Sequence, residues 1–329
     1  SNRNTNLTLT QFYPGASLHP SRADFALGGT QDNGTVKYTG SLAWALIFGG
    51  DGAFTAIDRG SPDNVWYVSY QYLNIYKTYD GGDSWYRATN GISDTRIPFI
   101  APFVMCPANP SILIAGTDNV WKTVDGAANW TVNSPDFGLI RSMAFAPSDP
   151  ACNIYFIGTA NRLYRTTDGG LYWTDITQNL PPRGFGDIAV HPTNPNIVYV
   201  ALGGFGGPHV YKTQNALDPA PSWSPIDTGI PDTPVNAILL DPANPNIVYI
   251  GTDIGIFRSV NAGISWEWFM NGHPNVAVFD LVANGTAVIS FTHGRGAFKL
   301  VSMPQGDGVG LYYPPWGAWY LDGNGNGQW

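Results

Sequence analysis

Carboxylates, guanidiniums and imidazoles are the groups in this sequence with chemistry to offer, and they are unevenly placed. Asp32 and Asp51 lie in two glycine-bracketed segments, Gly29-Thr-Gln-Asp-Asn-Gly34 and Gly49-Gly-Asp-Gly52. Two carboxylates held about 5 to 9.5 Å apart are what glycoside hydrolysis needs, so this is the candidate catalytic pair. Glu267 is the only glutamate and directly follows Trp266. The five histidines are scattered, none at ligand spacing from another. Near the end, Asp322, Asn324 and Asn326 alternate with glycines and match the first half of a calcium loop, making calcium the one candidate cofactor. A solvated Gly-Asn turn is the alternative there. Two cysteines, Cys106 and Cys152, cannot build a disulfide framework; they are either one bridge or two small buried residues.

Composition limits the elements that position these groups. Of 329 residues, 43% are hydrophobic but only 12% charged, against a usual ~25%. Glycine (39), proline (26) and aromatics (14%) are plentiful, as in short strands joined by tight turns. One glutamate and five lysines leave little material for exposed helix. The expected class is all-β. A net charge of -8 and a pI near 4.9 argue against nucleic acid, whose phosphates call for clustered Lys and Arg. No apolar run approaches the ~18 residues of a membrane-spanning helix.

Repeats fix the architecture. Tryptophans recur at Trp44, Trp85, Trp130, Trp173, Trp223 and Trp266, with gaps of 41 to 50 residues. That period suits one four-stranded propeller blade. A Pro-containing turn leads into an apolar run in the same phase, as in His191-Pro-Thr-Asn-Pro-Asn-Ile-Val-Tyr-Val200 and Asp241-Pro-Ala-Asn-Pro-Asn-Ile-Val-Tyr-Ile250. Gly-Thr follows the run at Gly29, Gly116, Gly158 and Gly251. Units begin near residues 12, 53, 99, 139, 184, 233 and 275, which predicts seven blades over residues 1–303. The seventh lacks a terminal strand, and Leu7–Phe12 is expected to close the ring there. Residues 304–329 form a separate tail rich in Tyr, Trp and Gly, expected to attach the ring to another copy or to fold back on it.

Between the third and fourth strands of each unit stands the most regular motif. It reads Thr78-Tyr-Asp80-Gly-Gly-Asp-Ser-Trp85 and Thr166-Thr-Asp168-Gly-Gly-Leu-Tyr-Trp173, with weaker copies from Asp125 to Trp130 and from Asn261 to Trp266. It resembles the Asp-box, or bacterial neuraminidase repeat, of sialidases, xyloglucan-active glucanases, sortilin-type receptors and photosystem assembly factors. In this reading the Asp accepts backbone N–H groups across a hairpin and the Trp fills the space between blades. The chain looks most like secreted bacterial sortilin-like and xyloglucanase-like propellers, which implies an extracellular or cell-surface location. Sialidase chemistry would need a glutamate to activate a tyrosine, and Glu267 falls on an outer strand.

In such a propeller the turns between second and third strands share a face with the crossovers between blades, opposite the Asp-box hairpins. Asn33, Gln71, Tyr72, Arg96, Arg183, His293 and Arg295 map there with Asp32 and Asp51, and a polar rim round a central funnel is the default ligand site. Two functions follow from this arrangement. One is a non-catalytic extracellular binding or scaffold propeller that contacts glycan or protein; the other is a glycoside hydrolase using Asp32 and Asp51.

Overall fold

The structure, a computed structural model, describes residues 9–269, 272–284, 287–300, 310–313 and 318–321. It is a seven-bladed β-propeller with no helix among the described residues. Blades one to six are four-stranded antiparallel sheets, and blade seven shows three strands among the described residues. Their innermost strands are Ser17–Leu18, Gly52–Ile57, Phe103–Met105, Ser142–Phe145, Phe185–Val190, Val235–Leu240 and Val278–Asn284. Each packs beside the next round the axis, and the seventh packs back on the first. The second strands are almost wholly buried, Val198–Leu202 and Val248–Thr252 being examples, because sheets cover both of their faces. Outermost strands such as Tyr86–Arg87, Thr131–Val132 and Glu267–Trp268 have two residues each, which keeps the exposed edges short.

The repeated hairpin is a closed hydrogen-bond unit. The Thr78 hydroxyl donates to Asp80 Oδ1 (2.7 Å), the Ser84 N–H donates to the same oxygen (2.9 Å), and the Gly82 N–H donates to Thr78 Oγ1 (3.0 Å). Asp125, Asp168, Asn215 and Asn261 make the equivalent bonds in blades three to six. These bonds to the ionised form hold both Asp80 and Asp125 down to about 2.

Four of the repeat tryptophans stitch blades three to six each to the blade before it. Trp130 Nε1 donates to Ala88 O (2.8 Å), Trp173 to Asn133 O (3.0 Å), Trp223 to Ile176 O (2.9 Å) and Trp266 to Ile226 O. Each acceptor lies just beyond the last strand of the preceding blade. Burial is less uniform than expected. Trp130 and Trp223 are each 3% exposed, whereas Trp85, Trp173 and Trp266 are only partly buried. Trp85 donates instead to its own hairpin at Gly82 O and packs on Phe48 of blade one.

Closure falls to the N-terminal segment, which bridges the seam between blades seven and one. Gln11 pairs with His293 of blade seven and Phe12 with Thr30 of blade one, as isolated antiparallel bridges. It adds no outer strand to the described sheet of blade seven. Phe12 is buried against Phe291 (5.0 Å between ring centres) and Trp44 (5.3 Å). Where blades one and two meet, a side chain at Gly52 would come within 2.4 Å of Gly34 O, so close backbone approach requires glycine. On the hairpin side a disulfide joins Cys106 of blade three to Cys152 of blade four. In the separate tail unit, Gly310–Tyr313 and Ala318–Leu321 pair as an antiparallel hairpin, and Asp322, Asn324 and Asn326 lie outside the described residues.

The stitching makes a quantitative expectation. Trp130→Ala leaves a cavity and an orphaned carbonyl at Ala88, and should cost about 3–5 kcal/mol in urea unfolding. Trp268→Ala, at a ring 49% exposed, should cost roughly 1 kcal/mol or less. Equal losses at both sites would contradict this role for Trp130.

Candidate functional site

The face that carries the crossovers holds a cavity of about 670 Å³ over blades three to five. Its walls are the crossovers Pro98-Phe-Ile100, Leu139-Ile-Arg141 and Pro182-Arg-Gly-Phe-Gly186, with the turn residues Ala160, Gly203 and Gly204. Arg141, Gly186 and Asn236 line both this cavity and a second one of about 710 Å³ that runs down the axis among the innermost strands. These three residues therefore form the waist of a funnel. Phe99 and Leu139 on the rim are 44% and 42% exposed, and the exposed Tyr72 ring meets Phe99 edge-on at 5.5 Å.

The positions marked out by the sequence divide into separate local networks. Asp51 Oδ1 accepts the Asp32 N–H (2.5 Å), its Oδ2 accepts Gln71 Nε2 (2.7 Å), and its own N–H donates to Gln71 Oε1 (3.3 Å). Asp51 thus ties the crossover after blade one to the turns of blades one and two. Asp32 takes a left-handed backbone (φ 59°) in its turn, and Asn33 Nδ2 donates to Gln31 O. Arg96 bridges Asp118 (3.3 Å) and Asp136 (3.2 Å) across blade three. Burial, followed by the nearby Asp94 charge, pushes the Asp118 carboxyl upward. His293 stacks on Phe279 at 4.6 Å with its Nδ1 3.1 Å from Phe12 O, which places it in the blade seven–one seam. Arg295 is exposed and donates to Gly294 O. Of the nine positions, only Arg183 lines the cavity; its guanidinium donates to Pro208 O and lies 3.4 Å from His209 Nδ1.

Three residues not singled out by sequence reasoning stand at the axis. Arg141 is exposed at the waist; its backbone N–H donates to Gly158 O (2.8 Å), and its guanidinium makes no hydrogen bond or ion pair to any described residue. Asp187 and Asp280 line the axial channel, each following a register shift in an innermost strand. Asp187 accepts N–H groups from Ile188 (2.8 Å) and from Ile238 of blade six (2.9 Å). Asp280 accepts those of Leu281 (2.8 Å), Gly15 (2.9 Å) and Ala16 (2.7 Å), clasping blade one. Burial dominates both titrations, pushing Asp187 up to about 7, with some help from the Asp280 charge, and Asp280 up to about 6. A signal did exist in the chain: an aspartate within an otherwise apolar strand, Phe-Gly-Asp187-Ile-Ala-Val and Val-Phe-Asp280-Leu-Val-Ala.

Glu267 lies on the outermost strand of blade six, accepting from Arg258 Nε at 2.7 Å. Among the described residues no group of three or more His, Cys, Asp or Glu is placed to hold a metal ion.

Comparison with family models and with curated proteins gave no match. Solved structures share the fold. The GH74 enzyme of Niastella koreensis superposes with a TM-score of 0.68 at 20% identity, over 89% of this chain and 52% of that one. The GH74 xyloglucanase from Xanthomonas campestris gives 0.69 at 16% identity, with the same coverage. YCF48 from Cyanidioschyzon merolae gives 0.67 at 12%, over 89% of this chain and 96% of that one. The chain therefore spans about half the length of the two GH74 enzymes and nearly all of YCF48. At these identities the likeness defines the class, a seven-bladed β-propeller.

The channel carboxylates give a pH signature with a definite sign. Their folded pKa values lie above the unfolded value near 3.8, so the native state binds more protons between about pH 4 and 7. Their contribution is fully present below pH 4 and is lost as pH rises through 6 to 7. Asp80 and Asp125, held at about 2, act in a separate window, losing their contribution as pH falls from 4 towards 2. The stability of wild type relative to Asp187→Asn should fall by a few kcal/mol from pH 4 to pH 8. A pH-independent difference in chemical denaturation would show that Asp187 is not desolvated.

Proposed function

We propose that this protein is an extracellular or cell-surface, non-catalytic Asp-box propeller that binds glycan or protein on its crossover face. The carrying observation is the state of Asp51: both its carboxylate oxygens already accept hydrogen bonds that hold neighbouring turns. A general acid or nucleophile needs a carboxylate free to meet substrate. The hairpins with Thr-x-Asp/Asn and Trp support the Asp-box reading and the sortilin-like kinship. The Cys106–Cys152 disulfide supports an oxidising compartment. YCF48, a propeller of similar extent, has been solved bound to D1 peptide, a precedent for a binding role in this fold.

The second reading is a glycoside hydrolase with Asp32 and Asp51 as its carboxylates, favoured by the fold shared with two GH74 enzymes. A glycan array of the purified protein, with reducing-sugar release followed on every hit, separates the two. Hits without hydrolysis are expected, and Asp32→Asn/Asp51→Asn should leave them unhydrolysed. Hydrolysis that disappears in that double variant would overturn the binding-module reading.

The tail belongs to the same proposal as a self-association element. Truncation after Met303 should abolish association in sedimentation experiments and leave the melting temperature unchanged. A monomeric full-length chain, or a lower melting temperature on truncation, would remove self-association from the account.

A further inference from the structure

The crossover-face cavity has a charge character opposite to that of the whole protein. The chain carries 24 acidic and 16 basic residues, yet the cavity is lined by two arginines and by no carboxylate. Among the described residues four guanidiniums of the ring meet carboxylates, among them Arg96 with Asp118 and Asp136, Arg162 with Asp175, and Arg258 with Glu267. Arg141 has no such partner. The channel carboxylate Asp187 lies beyond the waist, forms no ion pair with Arg141, and already accepts two backbone N–H groups.

Local structure holds Arg141 at this point. Gly184, in the next crossover, packs beside it, and a Cβ there would stand 3.6 Å from Arg141 Nη1, an ordinary contact distance. The preceding residue, Arg183, is steadied by Pro208 O and has a buried Nε without a partner. A guanidinium with its donors unspent, beside a second one in a walled cavity, suits a planar carboxylate.

We infer that this cavity binds an acidic polysaccharide, with Arg141 as the anchor for a uronate carboxylate and the Pro98–Phe99–Leu139 wall facing the sugar rings. The inference rests on the binding-module reading and names its ligand class. A volume of about 670 Å³ falls within the ~300–1,000 Å³ of small-ligand sites and has room for a short stretch of sugar units. Exposed aromatic and apolar faces beside polar donors serve pyranose rings well. A peptide is less well served, because crossovers and turns make up most of the cavity wall and leave little extended backbone for pairing.

Isothermal titration tests this with trigalacturonate, its methyl ester, cellotriose and a short peptide ending in a free carboxylate. Trigalacturonate should bind, more weakly as salt rises, and the ester and cellotriose should bind far less. Arg141→Gln should reduce the trigalacturonate affinity roughly tenfold to a hundredfold without changing the melting temperature, because the exposed side chain makes no described hydrogen bond or ion pair. Equal binding of cellotriose, untouched by Arg141→Gln, would overturn the acidic-ligand inference and leave the binding module standing. Binding of the peptide alone, lost in Arg141→Gln, would overturn it in favour of a protein partner. Absence of binding to all four probes would overturn it too, with the broader reading then decided by the glycan array. Cleavage of trigalacturonate would sink the non-catalytic reading and leave the assignment of Arg141 intact.

Discussion

An indole N–H taken out of water has to find an acceptor. Trp130, Trp173, Trp223 and Trp266 find one on the preceding blade, at a carbonyl just past that blade's last strand. The same contact covers the flank of the preceding sheet, so no blade from two to five has a finished surface until the next has docked. Stability in such an array is a sum of blade and interface contributions, and the interface where blades seven and one meet has no described indole bond of this kind. There the structure substitutes other devices: Phe12 wedged between Phe291 and Trp44, backbone bridges on both sides, and the Asp280 carboxylate clasping Gly15 and Ala16.

That division of labour explains which face is available for function. The hairpins commit their threonines, aspartates and tryptophans to each other and to the neighbouring blade, so the polar groups on their side are largely spent. On the opposite face the turns need no common sequence, and the residues there vary from blade to blade. Blades one and two spend theirs on a loop network centred on Asp51, and blade three on the Arg96 ion pairs. Over blades three to five the wall is apolar and glycine-rich, and the unmatched charge at its floor is Arg141. The carboxylates of the axial channel belong to the scaffold, since each bonds the backbone of the following blade.

The blades were legible because their markers recur in phase. Pro turns, Gly-Thr after an apolar run and the Asp-to-Trp hairpin each repeat, and together they place the innermost strands within a few residues. Whatever depends on one blade alone was harder to read. Asp187 and Asp280 sit where a register shift turns an innermost strand, and the sequence signals each only as an aspartate within an apolar run, without the partner strand that defines the shift. Arg141 is significant because the fold sets it beside Arg183 of the next crossover in one cavity, a relation between distant residues that no local motif carries. The residues that did stand out, Asp32 and Asp51, lie in conspicuous glycine-rich segments whose glycines serve tight turns and close backbone approach, as at Gly52.

The account centres on a ring whose crossover face receives a ligand over blades three to five while the Asp32–Asp51 network only shapes the turns. Hydrogen–deuterium exchange with and without trigalacturonate addresses that claim directly, because it reports where protection arises. Protection should concentrate in the segments 98–100, 139–141 and 182–186, with residues 31–34 and 49–52 unchanged. Protection centred on 31–34 and 49–52, with the blade three–five crossovers unaffected, would contradict it.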